Sequence, residues 1–139
     1  MDVRKKTDSN IQMTNWILKN TSKDDLFIIP PEDIYFCMNT GRSIFISWWM
    51  LPDYKNYKSV INIPEYMIEW YKRLKLLNLN DDFNQLDEVR KSYLKLDERS
   101  ILGIKDKYPD INYILMPSKV ELTLPVAKET DNQILYLIQ

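Results

Sequence analysis

The chain contains no histidine. That removes the commonest general base, the commonest metal ligand and the usual protonation switch near neutral pH. Ser-His-Asp and Cys-His nucleophilic sites are excluded with it. Cysteine is nearly absent as well. Cys37 stands alone, so there is no internal disulfide and no set of soft ligands for zinc. The two glycines, Gly41 and Gly103, are far apart. Phosphate-binding loops need clustered glycines to let backbone N–H groups approach the anion, so neither a Walker loop nor a dinucleotide fingerprint is present. No run of about 18 apolar residues occurs to span a bilayer. The polar stretch Met1–Asn10 has no apolar signal-peptide segment. Charge of one sign is also missing. Nineteen basic and 20 acidic residues leave a net charge of −1, which disfavours nucleic acid and anionic membrane surfaces as partners. Arg4, Lys5 and Lys6 form one short basic cluster.

What is present is enough for one real core. The chain has 139 residues, 45% of them hydrophobic, the size and composition of a single domain that needs no disulfide or metal. Residues 1–10 read as a flexible lead-in and 11–139 as a single α/β domain.

Asp8 or Ser9 offers a cap for a first helix reaching about Asn20, with Met13, Trp16 and Ile17 on one face. Leu26–Ile29 is a short apolar run stopped by Pro30-Pro31 and reads as a buried strand. The next segment is a loop or short helix with Ile34, Tyr35, Phe36 and Met38 inward, and Asn39–Arg42 turns into a second strand, Ser43–Trp48. After Pro64 comes the clearest helix, with Met67, Trp70, Tyr71, Leu74 and Leu77 on one side and Glu69 placed four residues before Arg73. Asp81-Asp82 and Asp97 suggest caps for two more helices, the first with Leu86, Val89 and Tyr93 inward, the second with Ile101, Ile104 and Tyr108 inward. Ile111–Met116 reads as a buried strand. Val120–Val126 alternates like a half-buried strand, with Pro125 marking an edge or irregular start. A turn at Glu129–Asn132 leads to a returning strand, Ile134–Ile138. This order predicts a three-layer α/β sandwich with a mixed sheet, parallel at its centre and closed by a C-terminal antiparallel hairpin. The expected core includes Trp16, Leu26, Ile28, Ile46, Met67, Trp70, Leu74, Ile104, Ile114 and Leu115.

Few residues suggest chemistry. Pro109-Asp110 followed by Glu121 loosely matches a metal-dependent nuclease pattern. Thr123 stands where its lysine belongs, and Pro-Asp as a helix end fits better. Cys37 has no activating neighbour in sequence and reads as an inert, half-buried thiol. The most unusual stretch is Trp48-Trp49. Neighbouring strand side chains point to opposite faces, so two readings stand. Either one ring packs under a helix while the other covers the strand end, or the pair offers a stacking or docking surface. Arg42 opens the same strand, where it makes either a salt bridge or carbonyl contact, or a grip on a carboxylate or phosphate. Arg42, Trp48 and Trp49 are the candidate contact surface. The residues point to no catalytic site, no cofactor and no metal.

Four segments carry a resemblance. They are Asn15-Trp16-Ile17-Leu18-Lys19-Asn20-Thr21 running on to Asp25-Leu26-Phe27-Ile28-Ile29-Pro30; Thr40-Gly41-Arg42-Ser43; Glu69-Trp70-Tyr71-Lys72-Arg73-Leu74; and Tyr108-Pro109-Asp110-Ile111-Asn112-Tyr113-Ile114-Leu115. Together with Leu124-Pro125, Asn132 and Tyr136 they are similar to the soluble C-terminal domain of uncharacterised bacterial, cyanobacterial-type polytopic membrane proteins, related to the tails of glycosyltransferases that use lipid-linked sugars. Ser22 replaces the usual proline after Asn-Thr, and Trp48-Trp49 departs from that pattern. The resemblance implies a non-catalytic accessory domain on the periplasmic face of the inner membrane. Its implied partner is the membrane region of its own parent protein, with a sugar or lipid-linked substrate as a further candidate. The alternative is a stand-alone cytosolic protein with an unrecognised hydrolase-type activity, cytoplasmic if Met1 is the natural start.

Overall fold

The computed structural model describes residues 3–31, 33, 35–46, 65–79 and 86–139. Helix α1 (Val3–Asn20) leads to strand β1 (Leu26–Ile28), the short helix α2 (Phe36–Thr40) and strand β2 (Ser43–Ile44). Among the described residues, helices α3 (Glu65–Leu76), α4 (Leu86–Leu94) and α5 (Glu98–Lys107) follow. The chain ends in β3 (Ile111–Pro117), β4 (Val126–Glu129) and β5 (Gln133–Leu137). The sheet order is β2-β1-β3-β5-β4, with β2, β1 and β3 parallel and β5 and β4 antiparallel. This is the expected mixed sheet with its terminal hairpin.

Two buried clusters define the layers. On one face Met13 and Ile17 of α1 and Phe36 of α2 pack on Phe27, Ile29, Leu115 and Leu135. Phe27 stacks on Tyr113 with ring centres 4.9 Å apart. On the other face Trp70, Leu74, Val89, Tyr93, Ile101 and Ile104 from α3, α4 and α5 cover Ile28, Ile114, Met116, Ile134 and Tyr136. Strand alternation sends Phe27 to one face and Ile28 to the other, and likewise Leu115 and Met116. The pairing slips between Leu26 and Phe27, which face Ile111 and Tyr113. Asn112 is therefore an extra residue, a β-bulge that brings Ile111 and Ile114 to the same core face.

Of the expected core, Ile28, Ile46, Trp70, Leu74, Ile104, Ile114 and Leu115 are buried. Trp16 and Leu26 are half-buried, and the Met67 side chain lies outside the described residues. Helix ends follow their sequence signals. Asp97 caps α5 by accepting from Ser100 N at 2.8 Å. Gly41 ends α2 in the left-handed region, φ 65°, with its N–H on Cys37 O. Asn78, at φ 61°, ends α3. There Leu79 N bonds Leu74 O and Asn78 N bonds Lys75 O, a Schellman arrangement whose hydrophobic contact is Leu79 with Leu74.

Three expectations are corrected. Helix α1 begins at Val3, upstream of the Asp8–Ser9 cap. Tyr35 and Met38 do not point inward. They are 61% and 79% exposed, because a five-residue helix has room for one inward pair and Phe36 and Thr40 take it. The segment Val120–Pro125 is not a strand. Its backbone is held by side chains instead: Leu122 N donates to the Tyr136 hydroxyl, which donates to Val120 O, and Thr123 N donates to Glu98 Oε1. The ladder starts only after Pro125, which has no N–H to give.

Candidate functional site

Parallel strands define two ends of the sheet, and crevices at the carboxyl ends are where α/β sheets place ligands. The amino ends of β1 and β2 are tied together by Arg42. Its side chain is 6% exposed. The guanidinium donates from Nε to Thr21 Oγ1 at 2.9 Å, from Nη2 to Thr21 O at 3.0 Å and Ile17 O at 3.5 Å, and from Nη1 to Thr40 O at 3.2 Å. These acceptors end α1 and α2, so the cation sits where both helix dipoles are negative. The loop geometry follows from sequence. Thr21 and Thr40 each donate their hydroxyl to the carbonyl four residues back, and Thr40 Oγ1 accepts from Arg42 N.

Two more polar clusters hold the frame. At the bulge, Asn112 Nδ2 donates to Asp25 Oδ1 at 2.6 Å, while the Lys105 ammonium donates to Asn112 Oδ1, Pro109 O and Ile111 O. All three ammonium protons are thereby used. Beside β2, Arg73 donates to Glu69 Oε1 at 3.1 Å and to Phe45 O at 2.8 Å, and the Tyr108 hydroxyl donates to Glu69 Oε1 at 2.6 Å. The guanidinium also lies over the Phe45 and Tyr108 rings. The Tyr108 hydrogen bond, and then Arg73, hold the Glu69 carboxyl below its ordinary value. Burial and Glu69 push the Tyr108 hydroxyl up. Arg73 thus covers a carbonyl of the edge strand that would otherwise be open to pairing.

At the carboxyl ends the arrangement differs. A cleft of about 90 Å³ opens between α1, α2 and the ends of β3 and β5, lined by Asn10, Thr14, Asp33, Tyr35, Asn39 and Gln133 over a floor that includes Met13, Ile17 and Leu115. It continues into a shallower part of about 350 Å³ that shares Asn10, Thr14 and Asn39 and adds Ile11 and Asn15. Asp33 shapes the wall by accepting from Tyr35 N and Phe36 N through Oδ1. Among the described residues, the side chains of Asn10, Thr14, Asn15, Asn39 and Gln133 make no hydrogen bond to protein. Carboxamides donate and accept, so the lining presents both kinds of hydrogen-bonding group.

Arg42 therefore lies at the end of the sheet opposite this cleft, with most of its donors committed to helix ends. Trp48 and Trp49 lie outside the described residues. Cys37 is exposed, and its thiol is pushed up by partial desolvation and by Asp33, which keeps it protonated and weakly nucleophilic. Asp110 and Glu121 are both exposed. Among the described residues no three histidine, cysteine, aspartate or glutamate side chains are grouped to hold a metal. The cleft residues carry no sequence motif. Their one trace is that Asn10 and Thr14, four residues apart, flank the Met13–Ile17 face.

Fold and cleft together define a small three-layer α/β domain with an open polar crevice at its strand ends. Residues 8–77 match the family described as a domain of unknown function, DUF6798, and the chain belongs to that family. The match runs from α1 to the end of α3. No curated protein and no solved structure matches the chain.

Proposed function

We propose that this chain is a non-catalytic accessory domain of a bacterial membrane protein, glycosyltransferase-like in kind, held at the periplasmic face against its parent's membrane region. The observation that carries this reading is the outer surface of the α1/α2 layer. Ile11 and Leu18 on α1, and Met38 on α2, are large apolar side chains left exposed. Ile11 and Leu18 lie two helical turns apart on the face of α1 turned away from Met13 and Ile17. Such side chains suit a contact with another protein surface. The resemblance of the Trp16–Pro30, Arg42 and Tyr108–Leu115 segments to membrane-protein tails supplies the partner. No helix of the described residues is long and apolar enough to cross a membrane, so in this reading the anchor belongs to the parent's other segments.

The test is fractionation of the native bacterium with an antibody raised against the domain. The expected result is a band in the membrane fraction, larger than 16.7 kDa, that protease added to intact spheroplasts removes. A free 16.7 kDa chain in the cytosol overturns the proposal and favours the stand-alone alternative.

A further inference from the structure

We propose that the cleft at the carboxyl ends of β1 and β3 is a binding site for a neutral polyhydroxylated ligand, a sugar ring. The chemistry of the lining excludes the other common classes. Among the described residues no lysine or arginine lines either part of the cleft, so there a phosphate or carboxylate finds no counter-charge. Above the apolar floor the walls carry carboxamides, a hydroxyl and the Asp33 carboxylate, groups a lipid chain would desolvate without pairing. What the lining offers is paired donors and acceptors from Asn10, Asn15, Asn39 and Gln133, with Thr14 adding a hydroxyl. A sugar hydroxyl also donates and accepts at once, and needs partners of this kind.

Two further features fit a ring. Asp33 uses Oδ1 for its two backbone bonds, leaving Oδ2 as the strong acceptor that a sugar hydroxyl prefers. Tyr35, largely exposed at the rim, presents an aromatic face for the C–H side of a pyranose. The shallow part, about 350 Å³, lies at the low end of small-ligand sites, about 300–1,000 Å³. Because, among the described residues, the side chains of Asn10, Thr14, Asn15, Asn39 and Gln133 bond nothing else in the fold, binding through them needs no existing bond to break. The inference stands on the cleft and is independent of where the domain resides.

The experiment is a titration of the full chain, labelled for amide NMR, with glucose, galactose, mannose and N-acetylglucosamine in turn. Saturable shifts at the amides of Asn10, Thr14, Asn15 and Asn39 are expected for at least one of them. Asn39→Ala and Asn10→Ala should each weaken that binding about tenfold, roughly the loss of one hydrogen bond, with the melting temperature unchanged. Shifts confined to other parts of the chain overturn the proposal, as do flat titrations for all four sugars. So do variants that bind as well as the parent chain. Inorganic phosphate, titrated as the control, should leave these amides unmoved, and binding there tighter than the sugar's overturns the assignment to a neutral ligand.

Discussion

Arg42 shows how one residue type can be read from sequence while its role cannot. An arginine opening a strand is free to grip an anion or to close a turn. Among the described residues no carboxylate pairs with it, and carbonyls at two helix ends take its place. The planar fork matters here, because its donors reach Thr21, Ile17 and Thr40 together. Arg42→Ala removes these charge-assisted bonds and leaves buried acceptors unpaired, at a cost of about 3 kcal/mol. Arg42→Lys should recover only part of that, since an ammonium is a compact donor that cannot span the same set. Urea denaturation of both variants checks the order, and an alanine variant as stable as the parent chain contradicts it. Cys37 and the Asp110–Glu121 pair illustrate the same limit. Their neighbours in sequence say little about exposure, which comes from how α2 and the β3–β4 connection lie on the sheet.

Elements were legible in proportion to their periodicity. The inward positions Trp70 and Leu74 of α3 with Leu77 just past its end, Val89 and Tyr93 of α4, and Ile101 and Ile104 of α5 repeat at helical spacing, and all are buried. The hairpin turn Glu129–Asn132 was equally plain, with Thr130 N on Gln133 O. The alternating run Val120–Val126 misled because side chains from elsewhere, Tyr136 and Glu98, satisfy its backbone. A period of two reports burial on one face and does not require a partner strand. The end of α2 gives an element-scale prediction. Gly41 has open space around its missing Cβ but a φ of 65°, so Gly41→Ala should cost about 1 kcal/mol from backbone strain alone, and Gly41→Asn less. The expected readout is a lower urea midpoint at unchanged slope. Equal midpoints for the glycine and alanine proteins refute the strain argument.

At the scale of the whole molecule, the family match and the folding unit do not coincide. Among the described residues, 8–77 supply α1 to α3 and the two strands β1 and β2. β3, contributed by residues 111–117, lies between β1 and the hairpin and carries Ile114, Leu115 and Met116 into both cores. A chain cut after Leu77 therefore loses the neighbour of β1 and the helices α4 and α5 that cover it. It should show a poorly dispersed amide spectrum and no cooperative melting, whereas the full chain melts in one step. A well-dispersed spectrum from the short chain shows that the matched half folds alone and refutes this view of the sheet.

The amino-acid sequence by itself determined the class of the fold, most of the inward residues and the chemistry that is missing, because composition and periodicity are local properties that survive without neighbours. It also placed Asp97 at a helix start and Gly41 in a turn, where a single side chain or a single φ decides the outcome. Only the tertiary structure decided that Arg42 faces helix carbonyls, that Asn112 bulges to meet Asp25 and Lys105, and that Asn10, Asn39 and Gln133 line one cleft. Those groupings join residues far apart in the chain. Their cause is the crossover order β2-β1-β3-β5-β4, which sets β1 and β3, strands from opposite halves of the chain, side by side.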